Sequence, residues 1–214
     1  MNGYLSRLGG AVLVVGALLG CAVLVGLELT HSDRPTADPT VIALGWADMV
    51  VGLLVLLSLP VVAGRVASGS HLLGVIGFAG LAMGFLAFDV ILGFERAVDS
   101  PYLVTHHVDI SQGPPIGMLI VLLVGGFAKI IGGILFGIAA LRSQAISRVA
   151  AGLILASSVI FASGLIPHMT EFVDLVGGVM LLIGFALCGL ELLGVWPAKQ
   201  SESAAPQFSS AART

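Results

Sequence analysis

The feature that most constrains this chain is the recurrence of long apolar runs. Six stretches of roughly 18 or more residues with few charges alternate with polar breaks such as "THSDRPTADPT", "GRVASGSH" and "RSQAISR". Wound as a helix at about 1.5 Å per residue, such a run crosses a hydrocarbon core of roughly 30 Å. The helix also satisfies its own N–H and C=O groups where lipid offers no partner. The expected fold is therefore an all-α integral membrane protein, a six-transmembrane-helix bundle forming one domain over residues 1–196. The spans are predicted at about 8–28, 41–63, 72–95, 116–141, 148–166 and 172–194, with a long outer connection over 96–115.

Composition agrees with this solvent. Of 214 residues, 57% are hydrophobic and 10% charged, too few charges to cover a soluble globule, and the 29 glycines suit helices whose backbones approach closely. A net charge of −3 with no basic run argues against a nucleic-acid partner. Cys21 and Cys188 fall deep in apolar segments and form no CxxC pattern, so they read as packing residues. The first apolar segment is too long for a signal peptide and lacks an A-x-A-like site, so it is expected to be a retained helix. Residues 197–214, rich in Ser, Ala and Pro, are expected to form a disordered cytoplasmic tail.

Orientation follows from Lys and Arg alone. One side collects Arg7, Arg65, Arg142, Arg148, Lys199 and Arg213, the other only Arg34 and Arg96, which places both the N and C termini in the cytoplasm. The stretch "GILFGIAALRSQAISRVAAGLILAS" is similar in layout to many small bacterial multi-span proteins. That likeness implies a bacterial plasma membrane and specifies no family.

Charges at bilayer depth carry the functional argument, because each costs from about 2.5 to over 10 kcal/mol and so faces the bundle interior or water. Lys129, in "GGFAKIIGG", stands about 13 residues from either end of its span, too deep to reach either interface easily. Its neighbours at three and four positions are Gly125, Gly126, Gly132 and Gly133. Asp48, Asp89 and Asp174 lie in the outer half and also have glycine on their faces. Lys129 is expected to pair with Asp48 or Asp89, and two readings stand. Either the pair fixes helix association with glycines allowing close packing, or the glycines hold open an outward-facing polar pocket. Glu191, near the inner boundary, reads as interfacial.

His106, His107, Asp109 and His168 are candidate metal ligands on the outer side, although no HExxH or CxxC spacing accompanies them and solvated loop histidines are the simpler reading. No G-x-S-x-G elbow, Walker loop or dinucleotide fingerprint is present, so no cofactor is expected and enzymatic activity is disfavoured. The leading expectation is a small transporter-like or channel-like protein with the lipid bilayer as its partner. One alternative is an accessory subunit or homo-oligomer docking through the Gly16-xxx-Gly20 and Gly80-xxx-Gly84 faces. Another is a membrane enzyme with an outer His/Asp metal site.

Overall fold

The computed structural model describes residues 3–30, 36–67, 71–108, 116–164 and 170–195, and these form six helices with no strand among the described residues. They are α1 (Gly3–Thr30), α2 (Pro39–Ala67), α3 (71–105), α4 (Ile116–Ser143), α5 (Arg148–Ser163) and α6 (Thr170–Leu193). Five helices are long and apolar enough to cross a membrane, and α5, with 16 residues, is shorter at about 24 Å. The chain is a multi-pass membrane protein.

Local chemistry accounts for where the helices start and stop. Pro39 supplies a preset φ at the first position of α2, and the Asp38 carboxylate accepts the Thr40 N–H at 2.7 Å. Ser147 caps α5 by accepting the Ala150 N–H at 3.2 Å. Helix α6 ends at Gly194, whose φ of 76° lets the Val195 N–H turn back to the Leu190 carbonyl.

Helix α3 departs from the expected span. It runs on from 95 to 105, through π-helical segments at Leu86–Ile91 and Glu95–Asp99, so half of the expected outer connection is helical. Glu95, Arg96 and Asp99 interrupt the apolar run, yet the backbone continues because this stretch still has a partner. Ala97 and Ser100 are buried, and the Ser100 hydroxyl accepts the Thr36 N–H at 2.9 Å. Residues 165–169, which include most of the last expected connection, and the tail, 197–214, lie outside the described residues.

Consecutive helices are neighbours in space, and α6 closes the ring against α1. The interior is filled by Leu13, Val55, Leu59, Leu81, Phe85, Phe136, Ile154 and Phe185, all essentially inaccessible. Three seams are glycine crossings where backbones meet. A Cβ on Gly10 would stand 2.7 Å from the Gly189 carbonyl oxygen, one on Gly45 2.9 Å from that of Gly93, and one on Gly80 2.7 Å from Gly132 Cα. The two small-residue faces expected to dock other helices are used within the chain. Gly16 packs on Leu54 and Gly20 on Val51 and Leu182, while Gly80 and Gly84 pack on Ala128, Gly132 and Lys129.

Because a side chain at Gly132 would meet α3 backbone, with Leu81 N at 2.5 Å, Gly132→Leu is expected to destabilise the protein by about 1–3 kcal/mol through overpacking. Gly152→Ala, where a Cβ meets nothing within 4 Å, is expected to be neutral or slightly stabilising. Denaturation in detergent micelles measures both; equal effects at the two positions would contradict the seam.

Candidate charge site within the bundle

The site is built where α3 and α4 lie closest. At Gly84 there is no side chain, and the stem of Lys129 occupies that space: a Cβ on Gly84 would collide with Lys129 Cβ. The lysine therefore runs along α3 instead of out into lipid, and its side chain is only 14% exposed. Its ammonium lies 5.3 Å from the ring centre of Phe85, 5.4 Å from that of Phe88 and 4.9 Å from that of Phe161 on α5. Each ring offers its negative face to the cation, an interaction worth about 0.5–2 kcal/mol and strongest away from water.

The same ammonium stands 3.9 Å from Asp89 Oδ2, an ion pair too long to be a hydrogen bond. Asp89 lies in the first π-helical segment, and on its α2 side Gly52 makes room, since a Cβ there would be 2.8 Å from Asp89 Cβ. Among the described residues no group donates a hydrogen bond to the buried Oδ2.

A second pair forms one step further along. Arg96, in the second π-helical segment, donates from Nη1 to Asp48 Oδ2 at 2.9 Å. The crossing of Gly45 and Gly93 brings α2 and α3 together beside it. Asp48 is nearly enclosed, at 7% side-chain exposure, whereas Arg96 keeps 31%. Asp48 lies within electrostatic reach of Asp89, Arg96 and Lys129, and Asp89 within that of Lys129 and Arg96. Two carboxylates and two cations thus form one cluster of balanced formal charge.

Three of the four glycines flanking Lys129 are taken up by neighbouring helices. Gly125 meets Ala87, Gly132 meets Gly80 and Leu81, and Gly133 meets Ser158 of α5, while Gly126 faces the Phe88 ring at 3.5 Å. These positions hold helices close and do not line an open space.

The remaining sequence candidates fall elsewhere. Asp174 is in α6, with its side chain outside the described residues, as are Asp109 and His168 altogether. His106 and His107 are exposed at the end of α3. The His106 ring stacks on Tyr102 at 4.1 Å, with Nδ1 3.0 Å from the Tyr102 carbonyl oxygen. Among the described residues no three His, Cys, Asp or Glu side chains come together as a metal site would require. Cys21 and Cys188 are free thiols.

Sequence reasoning missed Arg96 and the three phenylalanines. Arg96 ends an apolar run and so counts as a boundary cation, but Asp89, Gly93 and Arg96 follow one another at four and three positions, a helical face that could have linked it to the cluster. Nothing local marks Phe161, which reaches Lys129 only through tertiary packing.

A double-mutant cycle separates the two pairs. For Asp48→Asn with Arg96→Gln the coupling is expected at about 1–3 kcal/mol, and for Asp89→Asn with Lys129→Gln it is expected to be smaller. Stability in detergent is the readout, and the opposite ranking would refute the distinction.

Compared with protein-family models, curated proteins and solved structures, the chain matches none, and what the site does has to follow from its own residues.

Proposed function

We propose that this is a small transporter-like or channel-like protein of the bacterial plasma membrane, with both termini cytoplasmic, in which the cluster of Asp89, Lys129, Asp48 and Arg96 is the polar step of the path for a proton or small ion. The observation that carries this reading is the loose contact at Asp89. Its buried Oδ2 accepts no hydrogen bond among the described residues and lies 3.9 Å from the lysine ammonium.

A pair whose only task is to fasten helices gains most by closing to hydrogen-bond distance, as Asp48 and Arg96 do at 2.9 Å. Leaving a buried acceptor unmade costs about 1–3 kcal/mol, more when it is charged. At Asp89 that cost is retained, and Lys129 is steadied by three rings as well as by the carboxylate. The lysine can consequently loosen its hold on Asp89 without losing all its stabilisation, and the carboxylate can take a proton or cation in exchange. Ionisable groups at membrane depth commonly mark such relays. The two π-helical segments carry Asp89 and Arg96, and π-bulges frequently occur at functional sites.

The accessory-subunit reading loses its main support because both small-residue faces proposed for docking pack inside the chain.

The test is flux through proteoliposomes containing a pH-sensitive dye, under an imposed pH or potassium gradient. Wild-type protein is expected to dissipate the gradient faster than empty liposomes. Asp89→Asn and Lys129→Met are expected to lower that flux about tenfold, equivalent to about 1.4 kcal/mol, with helix content and elution unchanged. Should Lys129→Met carry full flux and melt above the wild type, the pair is structural, consistent with the behaviour of buried pairs replaced by apolar groups, and the proposal fails.

A further inference from the structure

The cluster of Asp89, Lys129, Asp48 and Arg96 holds two carboxylates and two cations, but its members are not equally able to change. Arginine keeps its charge in proteins, and Arg96 Nη1 holds Asp48 Oδ2 at 2.9 Å. Asp89 and Lys129 stand 3.9 Å apart, and the buried Asp89 Oδ2 accepts no hydrogen bond among the described residues. Lysine, unlike arginine, can give up a proton when it is taken out of water. Resting on the transport reading above, we infer that the substrate of this site is the proton and not an alkali cation, and that Lys129 sets this selectivity by exchanging its proton while keeping its place.

The surroundings of the ammonium disfavour a metal cation. A hard cation leaves water only where oxygen ligands replace its hydration shell. Around Lys129 Nζ stand the rings of Phe85, Phe88 and Phe161, with centres at 5.3, 5.4 and 4.9 Å, and the carboxylate of Asp89. A phenyl ring has no oxygen to offer, whereas its negative face suits an ammonium, which the chain itself supplies. The nearby Asp48 carboxylate is already engaged by Arg96. A metal cation entering beside Lys129 would meet like charge, and one displacing it would forfeit the three ring contacts.

A proton passes without either penalty. When the gap closes to hydrogen-bond distance, one N–H bond of Lys129 breaks and an O–H bond forms at Asp89 Oδ2, the nitrogen retaining the electron pair. The ion pair becomes an amine and a carboxylic acid, and the net charge of the cluster does not change. The amine then takes a proton from water on one side of the bilayer, and the acid releases its own to the other. The pair is restored with one proton moved, and the reverse sequence moves it back. Among the described residues, the charges acting on Asp89 are Lys129 from α4, Arg96 from its own helix and Asp48 from α2, all members of the cluster.

The test uses the full chain in proteoliposomes under an imposed membrane potential, with proton uptake read by an internal pH dye and sodium uptake by radioactive sodium. Wild-type protein is expected to take up protons at the same rate whether the outer salt is sodium or a bulky organic cation, with sodium uptake no faster than in empty liposomes. Lys129→Arg keeps the positive charge but not the exchangeable proton. It is expected to lower proton uptake at least about tenfold, with the loss of a proton-transferring group as its cause. Full proton uptake by Lys129→Arg overturns the inference and leaves the transport reading standing. Sodium uptake by the wild type above that of empty liposomes does the same, and this arm decides the matter if the variant does not fold. Wild-type protein that moves neither ion refutes the transport reading itself, and the inference with it.

Discussion

The arrangement of this bundle depends on how closely the backbones of α3 and α4 approach. In lipid there is little hydrophobic drive to bring one apolar helix to another, so association relies on van der Waals contact and on polar groups that find each other. Gly80 against Gly132, and Gly84 beneath the stem of Lys129, give that contact by removing side chains from the seam. The lysine is then directed along α3, toward Phe85, Phe88 and Asp89. Phe161 adds α5 to the cage, and Phe85 is itself packed on Phe185 of α6, with ring centres 5.7 Å apart. One charge at membrane depth therefore organises contacts from four helices.

The two ion pairs differ in a way that separates anchoring from exchange. Asp48 and Arg96 meet in a short charge-assisted hydrogen bond beside the Gly45 and Gly93 crossing, which ties α2 to α3. Asp89 and Lys129 face each other across a longer gap, and aromatic rings compensate the cation. Each pair uses a residue from a π-helical segment of α3. A π-helical turn takes up an extra residue, so residues beyond it present a different face from the one an unbroken 3.6-residue period predicts.

Much of the fold was legible because its causes are local. The depth of Lys129, its glycine face and the aspartates above it can all be read from spacing along a helix. The choice between Asp48 and Asp89 could not, because spacing along each helix leaves both as partners and the decision rests on how the helices are rotated against one another. Arg96, which engages Asp48, looked like a boundary residue because the apolar run ends there. Gly80 and Gly84 were recognisable as a contact face, but whether the helix they meet belongs to this chain or to another is a tertiary fact. Glu191, read as interfacial, is buried and supports the first turn of α5 through the Ser147 N–H.

The sequence by itself determined the solvent and the secondary structure: apolar runs long enough to cross a bilayer must satisfy their backbones internally, and a helix does this with residues close in the chain. It also determined which side chains would be costly to leave alone. Only the tertiary structure decided which partners relieve them, and whether the glycines hold helices together or hold space open. Those outcomes depend on helix order, rotation and register, set by contacts between residues such as Lys129 and Phe161 that are distant in the chain and adjacent only after the ring of helices has closed.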